Sequence, residues 1–379
     1  MNLSNATKSA RSPVALLGAA LLLAGVTAGW VQWRARRAEQ SNPPAGDLLD
    51  IDGVRLHCVE RGAGPPVVLI HGNMVWHRDF FTSTLIQRLA RNHRVLAFDR
   101  PGFGHSTRPR DRPWTPAAQG KLLHAACARL GVERPVVVGH SMGAMVALAM
   151  ALDYPADVRK LVLLGGYYYP STRMDALLAV PTAMPVLGDV LRNTVTAVSV
   201  RLFLKKMLKA MFVPRELPAD FLLTLSGEMM VRPVQLGANA EDATFMNRQA
   251  KSSSERHHQL QLPVAIFAGA EDLVVDVEAH SMRLHDELRH STLGVIPGVG
   301  HMVHYGAVEE IVAAIGEDLL DDTSLAQSVS RADQGGIAED PRCVAARRSK
   351  QQTAAVGEVA VAGAQNLLRS EQVDARCRT

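Results

Sequence analysis

Cysteine is scarce in this chain of 379 residues, which has only Cys58, Cys127, Cys343 and Cys377. None of them forms a C-x-x-C pair, so the sequence indicates neither a thiolate metal site nor a disulfide framework. Arginine–aromatic and glycine-rich basic stretches are also missing, and the net charge is only +4. We therefore expect no nucleic-acid partner.

Aromatic residues are absent from the last part of the chain, since no Phe, Trp or Tyr follows Tyr305. Residues 321–379 combine Ser, Gln, Ala and Gly with balanced charges. Such a segment cannot bury enough apolar surface to offset the entropy lost on ordering, so we predict that it is disordered. The chain as a whole is 47% hydrophobic and 21% charged, which is ordinary globular composition with room for a large core.

One long hydrophobic run is present, at residues 13–33, and it carries no charge. Its length suits a bilayer-spanning helix, and Trp30 and Trp33 suit a membrane interface. A cleaved signal peptide, with its small-residue site near Ala28, is the alternative, and it predicts a secreted or periplasmic protein. Basic residues directly after the run, at Arg34 and Arg36, favour a retained single-pass anchor.

Further along, short apolar runs alternate with helical stretches. The predicted strands are residues 54–60, 67–70, 94–98, 136–138, 161–164, 264–268 and 292–296. Several runs are continuously apolar, which is typical of parallel strands covered on both faces. Residues 166–262 interrupt this alternation and are rich in Leu, Met and Pro, so we predict a helical cap inserted over the sheet.

These patterns divide the chain into seven parts. They are a basic segment (1–12), an anchor or signal segment (13–33), a linker (34–47), a first core part (48–165), the cap (166–262), a second core part (263–320) and the tail (321–379).

Within the cap, residues 200–212 form an amphipathic pattern. Arg201, Lys205, Lys206 and Lys209 lie on one side, and Leu204 and Leu208 lie mostly on another. Basic amphipathic helices are found on anionic membrane surfaces. They are also common as surface helices with the basic side in water, which is the interpretation we favour.

A candidate nucleophile, Ser141, lies in Gly139-His140-Ser141-Met142-Gly143, between a predicted strand and a helical run. The two glycines allow a sharp turn, which presents the serine hydroxyl above the sheet. At the start of the helix, the backbone N–H of Met142 points toward a developing oxyanion.

A serine nucleophile needs a base and an acid that orients the base, and both are expected after later strands. Asp272 follows the strand at 264–268, and His301 follows the strand at 292–296 in a glycine-rich loop. Glu271 and Asp276 compete with Asp272 as the acid. His304 competes with His301 as the base.

With these motifs the chain resembles enzymes of the α/β-hydrolase fold over roughly residues 48–320. His71-Gly72-Asn73, the loop Asp99–Ser106 and Tyr154-Pro155 match further marks of that family. The resemblance implies an α/β fold with a mostly parallel central sheet, flanked by helices and carrying a helical cap. It also implies that the N–H groups of Asn73 and Met142 form the oxyanion hole, without metal or organic cofactor.

Related dehalogenases and epoxide hydrolases have an aspartate where this chain has Ser141, so a serine hydrolase is expected. The Leu- and Met-rich cap favours a small apolar acyl substrate, and a carboxylic ester is the preferred class. A carbon–carbon bond hydrolase, a thioesterase or acyltransferase, and a perhydrolase remain alternatives. A non-catalytic ligand- or partner-binding protein of the same fold is the alternative of another class.

Overall fold

The computed structural model describes residues 13–171 and 174–316, and an eight-stranded sheet forms its centre. The strands are β1 (Asp47–Ile51), β2 (Val54–Arg61), β3 (Pro66–Ile70), β4 (Arg94–Phe98), β5 (Val136–His140), β6 (Lys160–Leu164), β7 (Val264–Gly269) and β8 (Ser291–Ile296). Their order across the sheet is β1-β2-β4-β3-β5-β6-β7-β8. Strand β2 pairs antiparallel with β1 and β4, and the other neighbours are parallel. The predicted mostly parallel sheet is confirmed.

Strand β1 is the one strand of this sheet that the apolar pattern does not predict. It forms a hairpin with β2, in which Ile51 pairs with Val54 across a two-residue turn. The turn residues Asp52 and Gly53 have φ values of 49° and 78°. Asp-Gly is a strong sequence signal for such a turn, and it was available in the sequence.

The described helices form the N-terminal segment, the cap and the layers on both faces of the sheet. They are α1 (Pro13–Ser41), α2 (Arg78–Thr82), α3 (Leu85–Leu89), α4 (Pro116–Arg129), α5 (Met142–Asp153), α6 (Met174–Ala183), α7 (Leu187–Asn193), α8 (Val195–Phe212), α9 (Phe221–Thr224), α10 (Gly227–Met230), α11 (Pro233–Ser254), α12 (Arg283–Glu287) and α13 (Val308–Gly316). On β3, Val68 and Ile70 belong to one buried apolar cluster, whereas Val67 and Leu69 belong to another. Successive strand side chains point to opposite faces, so each face of the sheet has its own core.

The cap between β6 and β7 is helical over its described residues, with α6 to α11 and a short 3-10 turn at His257–Gln259. A buried apolar cluster joins Leu204, Leu208 and Phe221 of the cap to Trp76, which lies directly after the loop that follows β3. The Trp76 indole also donates a 2.7 Å hydrogen bond to the Leu225 carbonyl. The cap is therefore packed onto the core beside the loop that holds Asn73.

Helix α8 differs in one respect from the expected water-facing cap helix. Leu204, Leu208 and Phe212 are buried as an amphipathic helix requires. However, Leu202 and Phe203 are 74% and 58% exposed, on the side of the helix that also carries the lysines. The outer side of α8 is thus both basic and apolar.

Helix α1 runs unbroken from Pro13 to Ser41. Residues 34–41 of the predicted linker are therefore helical. Its later part packs on the cap through the buried side chains of Val31, Ala35 and Ala38. The stretch Leu16–Ser41 is long and apolar enough to cross a membrane, and a signal sequence passes the same test.

The predicted basic segment at 1–12 and the predicted disordered tail at 321–379 lie outside the described residues.

Candidate active site

Ser141 sits at a sharp turn between β5 and α5, with φ 53° and ψ −117°. A Cβ on Gly139 would lie 2.4 Å from the Gly143 carbonyl oxygen, and one on Gly143 would lie 2.1 Å from the Ile70 carbonyl oxygen. Both glycines are therefore required by close backbone contacts. The tight turn leaves the serine at the end of the strand in a backbone conformation that most residues avoid.

The structure brings Ser141, His301 and Asp272 into one hydrogen-bonded line. His301 Nε2 lies 3.0 Å from the Ser141 Oγ, and His301 Nδ1 lies 2.8 Å from Asp272 Oδ2. Asp272 Oδ1 accepts from the backbone N–H groups of Val274 and Val275, which hold the carboxylate in place. The imidazole is thus oriented with its Nε2 toward the serine, which is the arrangement that serine hydrolysis requires.

The competing acids are engaged elsewhere. Glu271 is buried, and its Oε2 accepts from the Val299 N–H, so it braces the loop before His301. Asp276 accepts from the Ala279 N–H, which places it at the start of the helical turn Glu278–Met282. Neither carboxylate contacts the imidazole of His301 among the hydrogen bonds of the described residues.

The competing base, His304, is also engaged elsewhere. Its Nε2 lies 2.8 Å from the Asp79 carboxylate, and both side chains are fully buried. The Tyr305 hydroxyl donates to the other Asp79 oxygen at 2.7 Å. His140 lies between the two histidines and its Nε2 contacts the carbonyl oxygen of His301 at 3.1 Å. His140 therefore supports the loop that carries His301, and His304 is held by Asp79.

The backbone N–H groups of Asn73 and Met142 are both left without an acceptor among the described residues. The chain after β3 comes close to the nucleophile, since a Cβ on Gly72 would lie 3.1 Å from the Ser141 Cβ. Two free N–H groups beside a serine hydroxyl form the kind of site that stabilises an oxyanion.

A buried arginine that no sequence motif indicates holds this loop. Arg100 donates to the carbonyl oxygens of His71 and Gly72 and to the Asn73 side chain. On its other side it forms a 2.6 Å salt bridge with Asp242 of α11, and both side chains are fully buried. Arg100 thus ties the predicted oxyanion loop to the cap. The sequence feature that could have indicated this role is a charged residue, Arg100, in the loop directly after the apolar strand β4.

Replacing Asp242 by Asn is expected to lower the free energy of unfolding by about 3–5 kcal/mol, because Arg100 stays buried without its counter-charge. Urea denaturation measures this change. Glu241→Gln is the matched control, since Glu241 is about one-third exposed and its partner among the described residues is Arg108. That variant should lose less than about 1 kcal/mol. Equal losses in the two variants would contradict the role assigned to the buried pair.

Two buried groups resemble metal ligand sets, namely His57, His77 and Asp99, and Asp79, His140 and His304. Hydrogen bonds already join the members of the first group, since the Nδ1 atoms of His57 and His77 lie 2.8 and 2.9 Å from the Asp99 oxygens. Burial alone would raise the pKa of Asp99, but His77 and His57 lower it well below its usual range. This network braces the turn after β4.

Burial lowers the pKa of His71 to about 3, and the pKa values of His105 and His257 to about 4. In the unfolded chain these values return to about 6.5, so the unfolded state binds more protons below that pH. The free energy of unfolding should therefore fall as the pH drops from about 6.5 toward 4, with His71 alone contributing about 1.4 kcal/mol per pH unit. Urea denaturation at about pH 7 and about pH 5 measures the effect. His71→Gln should show a smaller difference between the two, and an equal difference would contradict this account.

A family model described as alpha/beta hydrolase fold matches residues 65–308. The chain is 24% identical over 304 residues to cis-3-alkyl-4-alkyloxetan-2-one decarboxylase of Shewanella oneidensis, covering 76% of this chain and 92% of that protein. It is 27% identical over 297 residues to 2-hydroxymuconate semialdehyde hydrolase of a Pseudomonas species, covering 74% and 96%. A solved alpha/beta hydrolase fold protein from Burkholderia ambifaria matches with a TM-score of 0.61 at 23% identity, covering 73% and 98%. The family match includes the turn at Ser141 and the loops of Asp272 and His301.

Proposed function

From the premise that the chain belongs to the alpha/beta hydrolase fold family, we propose that it is a serine hydrolase that cleaves an apolar carboxylic ester. The observation that carries the proposal is the hydrogen-bonded line from Asp272 through His301 to Ser141, at 2.8 and 3.0 Å. The same line makes a non-catalytic binding role the weaker alternative.

In the proposed mechanism, His301 Nε2 takes the proton of Ser141 as its Oγ attacks the ester carbonyl. The N–H groups of Asn73 and Met142 hold the negative oxygen of the tetrahedral intermediate. His301 then protonates the departing alcohol and leaves an acyl-enzyme. A water molecule, deprotonated by the same histidine, releases the acid and restores the serine. Asp272 keeps Nδ1 protonated and stabilises the imidazolium throughout.

An apolar substrate is supported by the residues that adjoin the turn at Ser141. A buried cluster there comprises Met142, Met145, Tyr167, Met246 and Ala250, contributed by α5, α11 and the chain after β6. Methionine side chains adapt to varied apolar shapes. The same surroundings offer little to a highly charged substrate.

The proposal is tested by a fluorophosphonate probe followed by peptide mass spectrometry. The probe should label Ser141 stoichiometrically, and labelling should stop all ester turnover. A panel of p-nitrophenyl esters of increasing chain length then gives the acyl preference, which we expect to favour longer over acetyl esters. A protein that is neither labelled nor active on any ester would leave the non-catalytic alternative in place.

Carbon–carbon bond hydrolysis is the second candidate, and it is favoured by the similarity to 2-hydroxymuconate semialdehyde hydrolase. The same three side chains would serve it. Its test is turnover of 2-hydroxymuconate semialdehyde, which is measured as the loss of the substrate's absorbance. A kcat/KM for this compound above that of every ester would replace the ester hydrolase assignment.

The proposed location is a membrane, with α1 as a retained single-pass anchor. The support is the apolar stretch Leu16–Ser41 together with the exposure of its first half. N-terminal sequencing of the mature protein tests this. A soluble protein that begins near Gly29 would show instead that the segment is a signal peptide.

A further inference from the structure

The large apolar side chains that are exposed among the described residues lie mainly on α1 and on the cap. In the cap they concentrate on α6, α7 and α8, three successive helices that pack on one another. Leu178, Val186, Leu202 and Phe203 are 78%, 76%, 74% and 58% exposed. Soluble surfaces rarely carry so many large apolar side chains in one region, so this region is expected to contact an apolar partner.

Helix α1 is fixed beside these helices. Val31 packs with Ala197 of α8, and Gln32 donates to the side chain of Asn193 at the end of α7. Arg34 and Arg201 both form salt bridges with Glu228, which locks α1 against α8 and α10. The exposed apolar half of α1 therefore extends from the same region as the exposed side chains of the cap.

All the charged side chains of α8 are basic. Lys205, Lys206 and Lys209 of α8 are exposed, and none of them forms an ion pair among the described residues. Arg36 and Arg37 are exposed near the C-terminal end of α1. Exposed apolar side chains interspersed with lysines are typical of helices that lie in the headgroup region of an anionic membrane.

We propose that the outer face of α6, α7 and α8, which we call the cap face, docks on an anionic lipid bilayer. This proposal rests on the membrane anchor proposed above and not on the chemistry of Ser141. A second copy of the chain fits less well, because a symmetric contact through this face would bring two basic α8 surfaces together. A bilayer offers both acyl chains for Leu202 and Phe203 and phosphate groups for the lysines.

The experiment uses the full-length chain in nanodiscs of phosphatidylcholine and phosphatidylglycerol, with a single environment-sensitive fluorophore on an introduced cysteine. Cys343 and Cys377 are first changed to Ser, while Cys58 and Cys127 are buried and stay. The label is placed by Phe203→Cys on the cap face. Leu22→Cys on α1 and Leu48→Cys on β1 are the matched controls, and p-nitrophenyl ester turnover checks that each labelled protein is folded.

Doxyl-labelled lipids should quench the fluorophore at positions 203 and 22 but leave it unchanged at position 48. Replacing Lys205, Lys206 and Lys209 by Gln should reduce quenching at 203 and leave quenching at 22 unchanged. Quenching at 22 without quenching at 203 would overturn the docked cap face and retain the anchor. No quenching at 22 would overturn the anchor itself, with ester turnover still reporting the proposed activity.

Two other occupants of the cap face give distinct results. Shielding of the label at 203 in detergent, together with a dimeric mass by light scattering, would replace the bilayer by a second copy. Shielding that disappears when the chain is ended after Leu320 would replace it by the chain's own C-terminal segment.

Discussion

Replacing Ser141 by Ala is expected to lower kcat/KM on the preferred ester by about 10⁴-fold or more, because the acyl-enzyme can no longer form. The free energy of unfolding should change by less than about 1 kcal/mol, since among the described residues the side chain makes one hydrogen bond, to His301. Steady-state kinetics and urea denaturation of the same preparation measure the two effects. Together they separate lost chemistry from lost folding.

Ser83→Ala is the matched control for this substitution. Ser83 is buried at the end of α2, and its hydroxyl likewise makes a hydrogen bond, to the Phe80 carbonyl. Because this serine is far from the hydrogen-bonded line in the sequence and belongs to another element, kcat/KM should stay within about 2-fold. A Ser141→Ala protein as active as the Ser83→Ala protein would refute the assignment of the nucleophile.

Asp272→Asn is expected to lower kcat/KM by about 10³- to 10⁴-fold. An amide at this position donates a hydrogen to His301 Nδ1, which then leaves the remaining proton on Nε2. The imidazole in that tautomer cannot accept the proton of Ser141. The KM should change little, because Asp272 is not expected to contact the substrate.

Glu271→Gln makes the same carboxylate-to-amide change one residue earlier. Glu271 accepts from the Val299 N–H, and an amide oxygen can still accept that bond, so the loss should stay below about 10-fold. If Glu271→Gln costs as much as Asp272→Asn, the neighbouring acid takes part in orienting His301. Comparing the two variants therefore decides whether Asp272 or Glu271 orients His301.

The positions of Ser141, Asp272 and His301 were predictable from sequence because each follows a strand whose apolar pattern is local. Parallel strands bring their carboxyl ends to one edge of the sheet, so residues 160 positions apart, such as Ser141 and His301, meet there. The glycines around Ser141 were predictable for a similar reason, since a sharp turn limits what a position can hold. These features need no knowledge of how distant segments pack.

The contacts of Arg100 were not predictable in the same way. Its partner Asp242 lies 142 residues later, on a cap helix whose placement over the sheet leaves no local pattern. The exposed Leu202 and Phe203 were missed for a related reason. The apolar spacing of the neighbouring residues indicates an amphipathic helix. Only the packing of the cap shows which side of that helix faces the core.

The first turns of helix α11 contact both α1 and the chain directly after the predicted oxyanion loop. Near its start, Arg232 pairs with Glu39 of α1. One and two turns later, the side chains of Gln235 and Asn239 bind the backbone of Met74, directly after the predicted oxyanion loop. The residues of α1 from Val31 onward are thus part of the scaffold of the catalytic domain. A shortened soluble form for crystallisation or assay should consequently begin near Gly29 rather than at Asn42.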